Sequence, residues 1–493
     1  MHVNELSAQG ASADLPNIFA GLSNRALKSK RIRKMVFENI RSRVDGEIPD
    51  SSTVPVQVGQ DQRLMLNVFI DELERALDQK DICDRYMERI VSIVLKNILF
   101  CSDKVKAKET FMAQYNGWPP PSFLVIAPGK ACNLLCKGCY ASSGQDREKL
   151  EWDVFDQIIT QAKQKWGTWF FTITGGEPMA YKSQGKDLLD IAEKHRDCFF
   201  LMYTNGTLIT KEVAARMAQT ANITPAISVE GLQDKTDDRR GTGVFNRILT
   251  AMANLREVGI PFGISMTATR FNCEEILSDS VLDFYMEERG AKYVWLFQYM
   301  PIGRGFTLDL LPTPEQRIWM WKRTHEILGN KRRFIADFWN DGTLSGGCIS
   351  AGKPGGYLYV DWNGKVMPCV FFPYSPVNVN DVFKRGGTLN EVWAEPFFAA
   401  IRDWQAKYTN VGHPQETGNL MRPCPMRDHH AEARQIINLY EPDPEDEAAA
   451  EALSDPAYYD GMVNYNRKTA EVFDPIWEEK YLEKTAKDKA STA

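Results

Sequence analysis

The sequence predicts an α/β fold: a partial six-stranded (β/α) barrel, preceded by a helical N-terminal unit and followed by a small cysteine-bearing C-terminal domain. Three observations carry this reading. From Pro121 onward, short β-branched and aromatic runs alternate with helical segments, the mark of parallel β/α units. Before that point, apolar residues recur at helical spacing. Beyond the barrel, Asn363-Gly364 separates two apolar runs, a hairpin signal because the tight turn needs positive φ.

Residues 1–15 are small and polar and read as a flexible tail. The unit 16–115 opens with a basic amphipathic stretch, 18–43, carrying Arg25, Lys28, Lys30, Arg31, Arg33, Lys34, Arg41 and Arg43. Such a segment is a solvated helix face, or it lies on an anionic membrane or acidic partner. A Ser/Thr/Pro/Gly linker is expected near Asp50–Gln60, then helices near Gln62–Gln79 and Ile82–Phe100. The barrel, 121–310, has expected strands at Phe123–Ala127, Trp169–Thr174, Phe199–Tyr203, Pro225–Val229, Gly263–Ala268 and Tyr293–Met300. A helix from Thr313 to Gly329 leads out of it. A Gly- and aromatic-rich domain spans 340–432, and residues 433–493 read as an acidic, peripheral helical tail.

Of 493 residues, 43% are hydrophobic and 25% charged, which is ordinary for a globular chain. The net charge of -6 argues against a nucleic-acid partner, which favours a basic balance. No apolar run reaches transmembrane length and the N-terminus lacks a secretory pattern, so a cytoplasmic location is expected, with membrane contact only through 18–43. In such a chain, clustered cysteines point to metal or redox chemistry rather than disulfides.

Directly after the first strand comes Cys132-Asn133-Leu134-Leu135-Cys136-Lys137-Gly138-Cys139. Three thiolates at this spacing hold three irons of a four-iron cluster and leave the fourth open to another ligand. The alternative is a zinc site, which would need a closed fourth ligand. Further motifs fall at later strand ends: Gly175-Gly176-Glu177-Pro178, Thr204-Asn205-Gly206-Thr207, Ser228-Val229-Glu230-Gly231 and Arg239-Arg240-Gly241. In β/α barrels the strand C-terminal ends carry the chemistry.

These motifs, in this order, resemble the radical S-adenosylmethionine family, and the resemblance covers about 121–430. It implies a barrel of the radical SAM type in which Cys132, Cys136 and Cys139 hold a [4Fe-4S] cluster. It implies S-adenosyl-L-methionine bound by Gly175, Gly176, Glu177, Asn205, Ser228, Glu230 and Arg240, with Arg240 on the cofactor carboxylate. Many members carry an aromatic residue before the third cysteine to touch adenine. Here that position is Gly138, and Tyr140 is the substitute considered. Cys348, Cys369 and Cys424 resemble a reduced SPASM/twitch iron–sulfur domain with one auxiliary cluster, for which Asp428, His429 and His430 are candidate fourth ligands. Val370 stands where sulfatase-maturing relatives have a catalytic Asp, so that activity is not expected. Cys83, Cys101, Cys198 and Cys273 read as structural.

The resemblance implies reductive cleavage of S-adenosylmethionine to a 5′-deoxyadenosyl radical that takes a hydrogen atom from a substrate. An electron donor such as ferredoxin or flavodoxin would supply the cluster. A lipid-like or secondary metabolite is slightly favoured over a peptide as substrate, and a peptide-modifying maturase is the alternative. A non-catalytic cluster carrier is the reading from another class. Trp295, Phe297 and Tyr299 read as core more than pocket, and Arg304 as a candidate contact to phosphate or carboxylate.

Overall fold

The computed structural model of the protein describes residues 29–47, 53–94, 97 and 101–483. The tail 1–15, residues 18–28 of the basic segment and the chain from 484 lie outside them. Among the described residues, the N-terminal unit contains helices α1 (Lys30–Glu47), α2 (Val56–Asp78), α3 (Asp84–Val94) and α4 (Ser102–Gln114). Two basic side chains of α1 turn toward α2, where Arg41 donates to Asp71 at 2.7 Å and Glu74 at 3.1 Å, and Arg33 pairs with Asp78. The segment expected as linker is half helix, because α2 starts at Val56. Val54 and Val58 sink into an apolar cluster with Ile318, Trp321 and Phe473, and that burial outweighs the local turn composition.

The six expected strands form, all parallel: β1 (Phe123–Ile126), β2 (Phe170–Ile173), β3 (Phe199–Thr204), β4 (Ile223–Val229), β5 (Gly263–Ala268) and β6 (Val294–Gln298). Alternation along them separates two faces. Leu124, Ile126, Phe171, Ile173, Phe200 and Met202 are 0–1% exposed and pack under the helices. Their neighbours Phe123, Phe170, Phe199, Tyr203, Ser228, Thr267, Trp295 and Phe297 keep partial exposure, which marks the lumen face. Helices α5 (Trp152–Gln161), α6 (Leu188–Lys194), α7 (Lys211–Thr220), α8 (Val244–Glu257) and α9 (Asp279–Asp283) cover the outside. Asp187 opens α6 with a reciprocal capping box through Asp190, a device worth about 1 kcal/mol.

The barrel sheet does not end with its six strands. Past α10 (Pro314–Glu326), strand β7 (Ile335–Asp337) pairs with β6, while β8 (Tyr357–Val360) pairs in parallel with β1. Strand β9 (Lys365–Met367) returns through the Asn363-Gly364 turn, Gly364 having φ of +83°, and after β10 (Tyr374–Ser375), β11 (Val377–Asn378) follows. The order β11-β9-β8-β1-β2-β3-β4-β5-β6-β7 makes one ten-stranded sheet. The domain expected over 340–432 is therefore built onto the β1 edge of the barrel, while β7, just ahead of it in the chain, extends the β6 edge.

The C-terminal segment corrects the sequence reading. Beyond α11 (Pro396–Thr409) and α12 (His430–Tyr440), strand β12 (Asp443–Pro444) pairs with β10, and α13 (Pro456–Trp477) buries Met462, Thr469 and Phe473 completely. Tyr458 and Tyr465 donate to the carbonyls of Pro301 and Pro312, at 3.1 Å and 2.9 Å. A tail acidic and Ala-rich in composition is thus a wall over the barrel's last strand–helix connection, because its aromatic residues share one helical face. Among the described residues, no helix is long and apolar enough to cross a membrane.

Candidate functional site at the barrel mouth

The loop after β1 has little regular structure and is held from outside. The backbone NH of Cys132 donates to Gly144 at 2.6 Å, and that of Lys137 to Arg239 at 3.0 Å. Arg304 does the most. Its backbone NH donates to Cys139 at 2.9 Å, and its guanidinium bonds the carbonyls of Cys136 and Ser143. In this fold the guanidinium of Arg304, the candidate anion contact, is engaged by two carbonyls of one loop, a use its rigid fork of donors also suits.

The strand ends bring their motifs to that loop. Gly176 lies so close beneath it that a Cβ there would stand 2.3 Å from the carbonyl oxygens of both Lys130 and Ala131. Only glycine fits. Gly176→Ala is accordingly expected to displace the cysteine loop and cut iron bound per chain at least severalfold, with the helical circular dichroism unchanged; iron analysis after anaerobic reconstitution measures it. Glu177, 1% exposed, accepts from the Thr204 hydroxyl at 2.7 Å, the Asn205 NH at 2.8 Å and the Met179 NH at 3.0 Å. Burial pushes its carboxyl above the usual range, and those donors work against the shift. Asn205 reaches Asn133 at 2.9 Å and the sulfur of Cys132 at 3.8 Å, and Ser228 pairs with Ser265 at 3.1 Å.

Glu230 and Arg240 are brought together. Glu230 Oε2 accepts from Arg239 at 2.7 Å and Oε1 from Arg240, so its two oxygens are shared by two guanidiniums. The sequence motif gave a role to Arg240 alone, whereas the end of a short helix, Gln233–Arg240, brings both arginines to Glu230.

The three thiols are half-buried. Burial pushes the Cys132 thiol up to about 12 and raises Cys136, which Arg240 draws partly back. Such thiols stay protonated until iron replaces the proton, so metal loading releases protons here. Among the described residues, no three His, Cys, Asp or Glu side chains close to the span of a single metal ion. Three thiols within eight residues are the donor set that would hold three irons of a four-iron cube.

Gly138, at φ +62°, leaves the aromatic position empty, and Tyr299 occupies the gap, its ring 3.3 Å from where a Cβ would be. Tyr140 is not a substitute: its hydroxyl bonds Thr174 at 2.6 Å and its ring turns toward Phe371. The lumen ring Phe297 lies 5.4 Å from Tyr203, 6.0 Å from Phe371 and 6.2 Å from Trp339, so aromatic packing joins the barrel to the C-terminal domain.

The second set also assembles. Burial and then the neighbouring Cys348 sulfur raise the thiols of Cys369 and Cys424, and Cys424 reaches about 12. Of the candidate fourth ligands, Asp428 is engaged by Arg317 at 2.6 Å and by the Cys424 NH at 3.3 Å. His429 bonds the Arg422 carbonyl and packs on Trp404 and Tyr408, while His430 bonds the Met426 carbonyl and faces Tyr458. Cys198 and Cys273 are core residues, 0% and 1% exposed.

Residues 126–277 match the radical SAM superfamily and residues 348–425 an iron–sulfur cluster-binding domain, SPASM. The mycofactocin maturase MftC of Mycobacterium tuberculosis is 30% identical over 288 residues, 56% of this chain and 71% of that protein. An AdoMet-dependent heme synthase of Methanosarcina barkeri is 26% identical over 302 residues, 55% of this chain and 82% of its own. Among solved structures, Streptococcus suis SuiB bound to precursor peptide SuiA shares the fold at a TM-score of 0.51 and 19% identity, covering 64% of this chain and 75% of that one. The site and fold define an iron–sulfur enzyme class built on S-adenosylmethionine. The chain belongs to the radical SAM superfamily, with a SPASM domain. Its cofactors are S-adenosylmethionine, a [4Fe-4S] cluster and auxiliary iron–sulfur centres.

Proposed function

We propose that the chain is a maturase that removes a hydrogen atom from a peptide side chain held in the lumen between the two thiol sets. The supporting observation is the aromatic wall of Phe297, Trp339 and Phe371, which spans from barrel strand to auxiliary domain and leaves the lumen face of the strands half-exposed. The similarity to a maturase at 30% identity moves the balance from a lipid-like substrate to a peptide. The pairing of Arg33 and Arg41 within the helical unit takes two charges from the case for a membrane surface.

On this reading Cys132, Cys136 and Cys139 hold the four-iron cluster, and Cys348, Cys369 and Cys424 an auxiliary one. When bound, S-adenosylmethionine and its cluster supply a 5′-deoxyadenosyl radical, chemistry that belongs to the cofactor. The protein's residues position it. Gly175 and Gly176 let backbone groups approach, Glu177 presents its remaining lone pair to an ammonium, and Asn205, Ser228 and the Glu230–Arg240 pair frame the rest. Tyr299 supplies the ring beside Gly138, and α13 behind it excludes water. A ferredoxin or flavodoxin is the proposed electron source.

The test is to offer the reconstituted enzyme synthetic peptides encoded by reading frames next to its gene, with S-adenosylmethionine and a reductant. Peptide-dependent 5′-deoxyadenosine with a mass change in the peptide is the expected result. Equal 5′-deoxyadenosine with and without every peptide, and no mass change, would overturn the peptide reading.

A further inference from the structure

The lumen face of β8 carries a group that the cofactor sites leave unused. Register fixes its direction: Tyr357 pairs with Phe123 and Tyr359 with Val125, so both tyrosines point into the lumen, and Asp361 follows two residues on. Tyr357 adjoins Cys369 and Cys348 at one end of this row. Tyr359 adjoins Tyr140, the residue after Cys139. The row therefore runs between the two thiol sets.

Its polar atoms are incompletely paired. The Tyr359 hydroxyl is fully buried and faces the Glu445 carboxyl, with no well-aligned hydrogen bond to it or to any other group. Asp361, also fully buried, uses Oδ1 to accept from the NH groups of Asn363 at 2.9 Å and Lys365 at 2.8 Å, and leaves Oδ2 unbonded. Leaving a buried polar atom unmatched costs about 1–3 kcal/mol, so two such atoms beside the Glu445 carboxyl call for an occupant or a function.

Glu445 arrives from the C-terminal segment. Its NH donates to Pro373 at 2.9 Å, and Lys365 Nζ binds the preceding carbonyl, Pro444, at 2.6 Å. Asp446 ties the same segment to the cysteine loop through Ser142, at 3.3 Å. The charged and titratable groups around Glu445 are Tyr359 and Asp361 on β8, Lys365 on β9, Tyr140 on the cysteine loop and Asp446 beside it in the chain. Burial and then the Asp361 carboxyl hold Glu445 well above the usual carboxylate range, and burial brings Asp361 to about 7. Two facing carboxyls in such a place share a proton rather than both ionise.

We propose that Glu445, with Asp361 and Tyr359, is the proton-accepting site of the substrate pocket. The proposal rests on the maturase reading above. An oxidation that joins or desaturates peptide atoms removes two electrons and two protons in total. One hydrogen atom goes to the 5′-deoxyadenosyl radical, which becomes 5′-deoxyadenosine. One electron goes to an iron–sulfur acceptor. The remaining proton leaves the substrate's N–H, O–H or C–H bond, whose electron pair stays on the product, and Glu445 takes that proton.

Two measurements on the reconstituted holoenzyme decide it. The first needs no substrate: infrared difference spectra across pH 5–9. The wild type is expected to keep a protonated-carboxyl band at neutral pH that titrates in alkali and is absent from Glu445→Gln. Spectra of the variant that superimpose on the wild type overturn the proposal, whatever becomes of the peptide reading. The second follows formation of the oxidised peptide against pH. A base with a raised pKa makes the rate climb as pH rises through it; Glu445→Gln should lose that acidic limb and about 10²–10⁴ of the rate, with Glu445→Asp restoring part. An unchanged profile in Glu445→Gln overturns the assignment.

Discussion

Glu230→Ala is expected to destabilise the barrel by about 3–5 kcal/mol, because it leaves two guanidiniums uncompensated in a place where the carboxylate is 1% exposed. Arg239 and Arg240 would then repel one another beside Cys136, and Arg239 would lose its hold on the cysteine loop, where its backbone carbonyl accepts from Lys137 and its side chain bonds the Lys137 carbonyl at 3.1 Å. Denaturant unfolding of the variant should show the loss, and the iron content of the first site should fall with it. Arg239→Ala is the informative companion: it removes one of the two charges and keeps the Arg240 pair, so its cost should be clearly smaller. If Glu230→Ala unfolds like the wild type, the buried triad does not organise the site.

The second large effect is at the auxiliary domain. Arg317, Arg427 and Asp428 are all completely buried, Arg317 donates to Asp428 at 2.6 Å, and Arg427 stands over the Trp339 ring while it reaches Gln298 at 2.8 Å. Asp428→Asn keeps the shape and removes the only carboxylate among the three, so about 3–5 kcal/mol should be lost. Since Asp428 also accepts the NH of Cys424, the auxiliary iron should drop while the first cluster loads normally. The pH dependence has a definite sign. After the cost of burial, Arg317 and then Arg427 hold the Asp428 carboxyl far below its ordinary value. A carboxyl so depressed gives its full stabilisation above its unfolded pKa of about 4 and loses it only in stronger acid. The wild-type auxiliary domain should therefore stay folded down to about pH 4, and Asp428→Asn should show no further acid transition of this origin.

The legible parts of this molecule were those written in short stretches of chain. Alternating β and helical runs gave the six strands within a residue or two, and the thiols, the Gly175-Gly176 turn and the strand-end residues lie together as their order implied. What stayed hidden depends on long-range partners. Nothing near Arg304 in sequence says that its donors point at carbonyls about 165 residues earlier, and nothing near Gly138 says that Tyr299 closes the gap beside it. The C-terminal wall was missed for a related reason: an acidic, Ala-rich stretch looks peripheral until its one aromatic face finds Pro301 and Pro312. Two signals were available and went unweighed, the adjacent pair Arg239-Arg240 ten residues after a buried Glu, and the regular spacing of Tyr458, Met462, Tyr465, Thr469 and Phe473 at helical period.

The central claim is that this barrel cleaves S-adenosylmethionine through a cluster on Cys132, Cys136 and Cys139. The direct test is 5′-deoxyadenosine formed by anaerobically reconstituted protein with dithionite and S-adenosylmethionine, in the presence of the peptides above, compared with the triple Cys132→Ala, Cys136→Ala, Cys139→Ala variant. The account predicts product from the wild type and none from the variant, which keeps its auxiliary iron. Equal product from both, or none from a wild type whose cluster is spectroscopically intact and whose S-adenosylmethionine is bound, would contradict it.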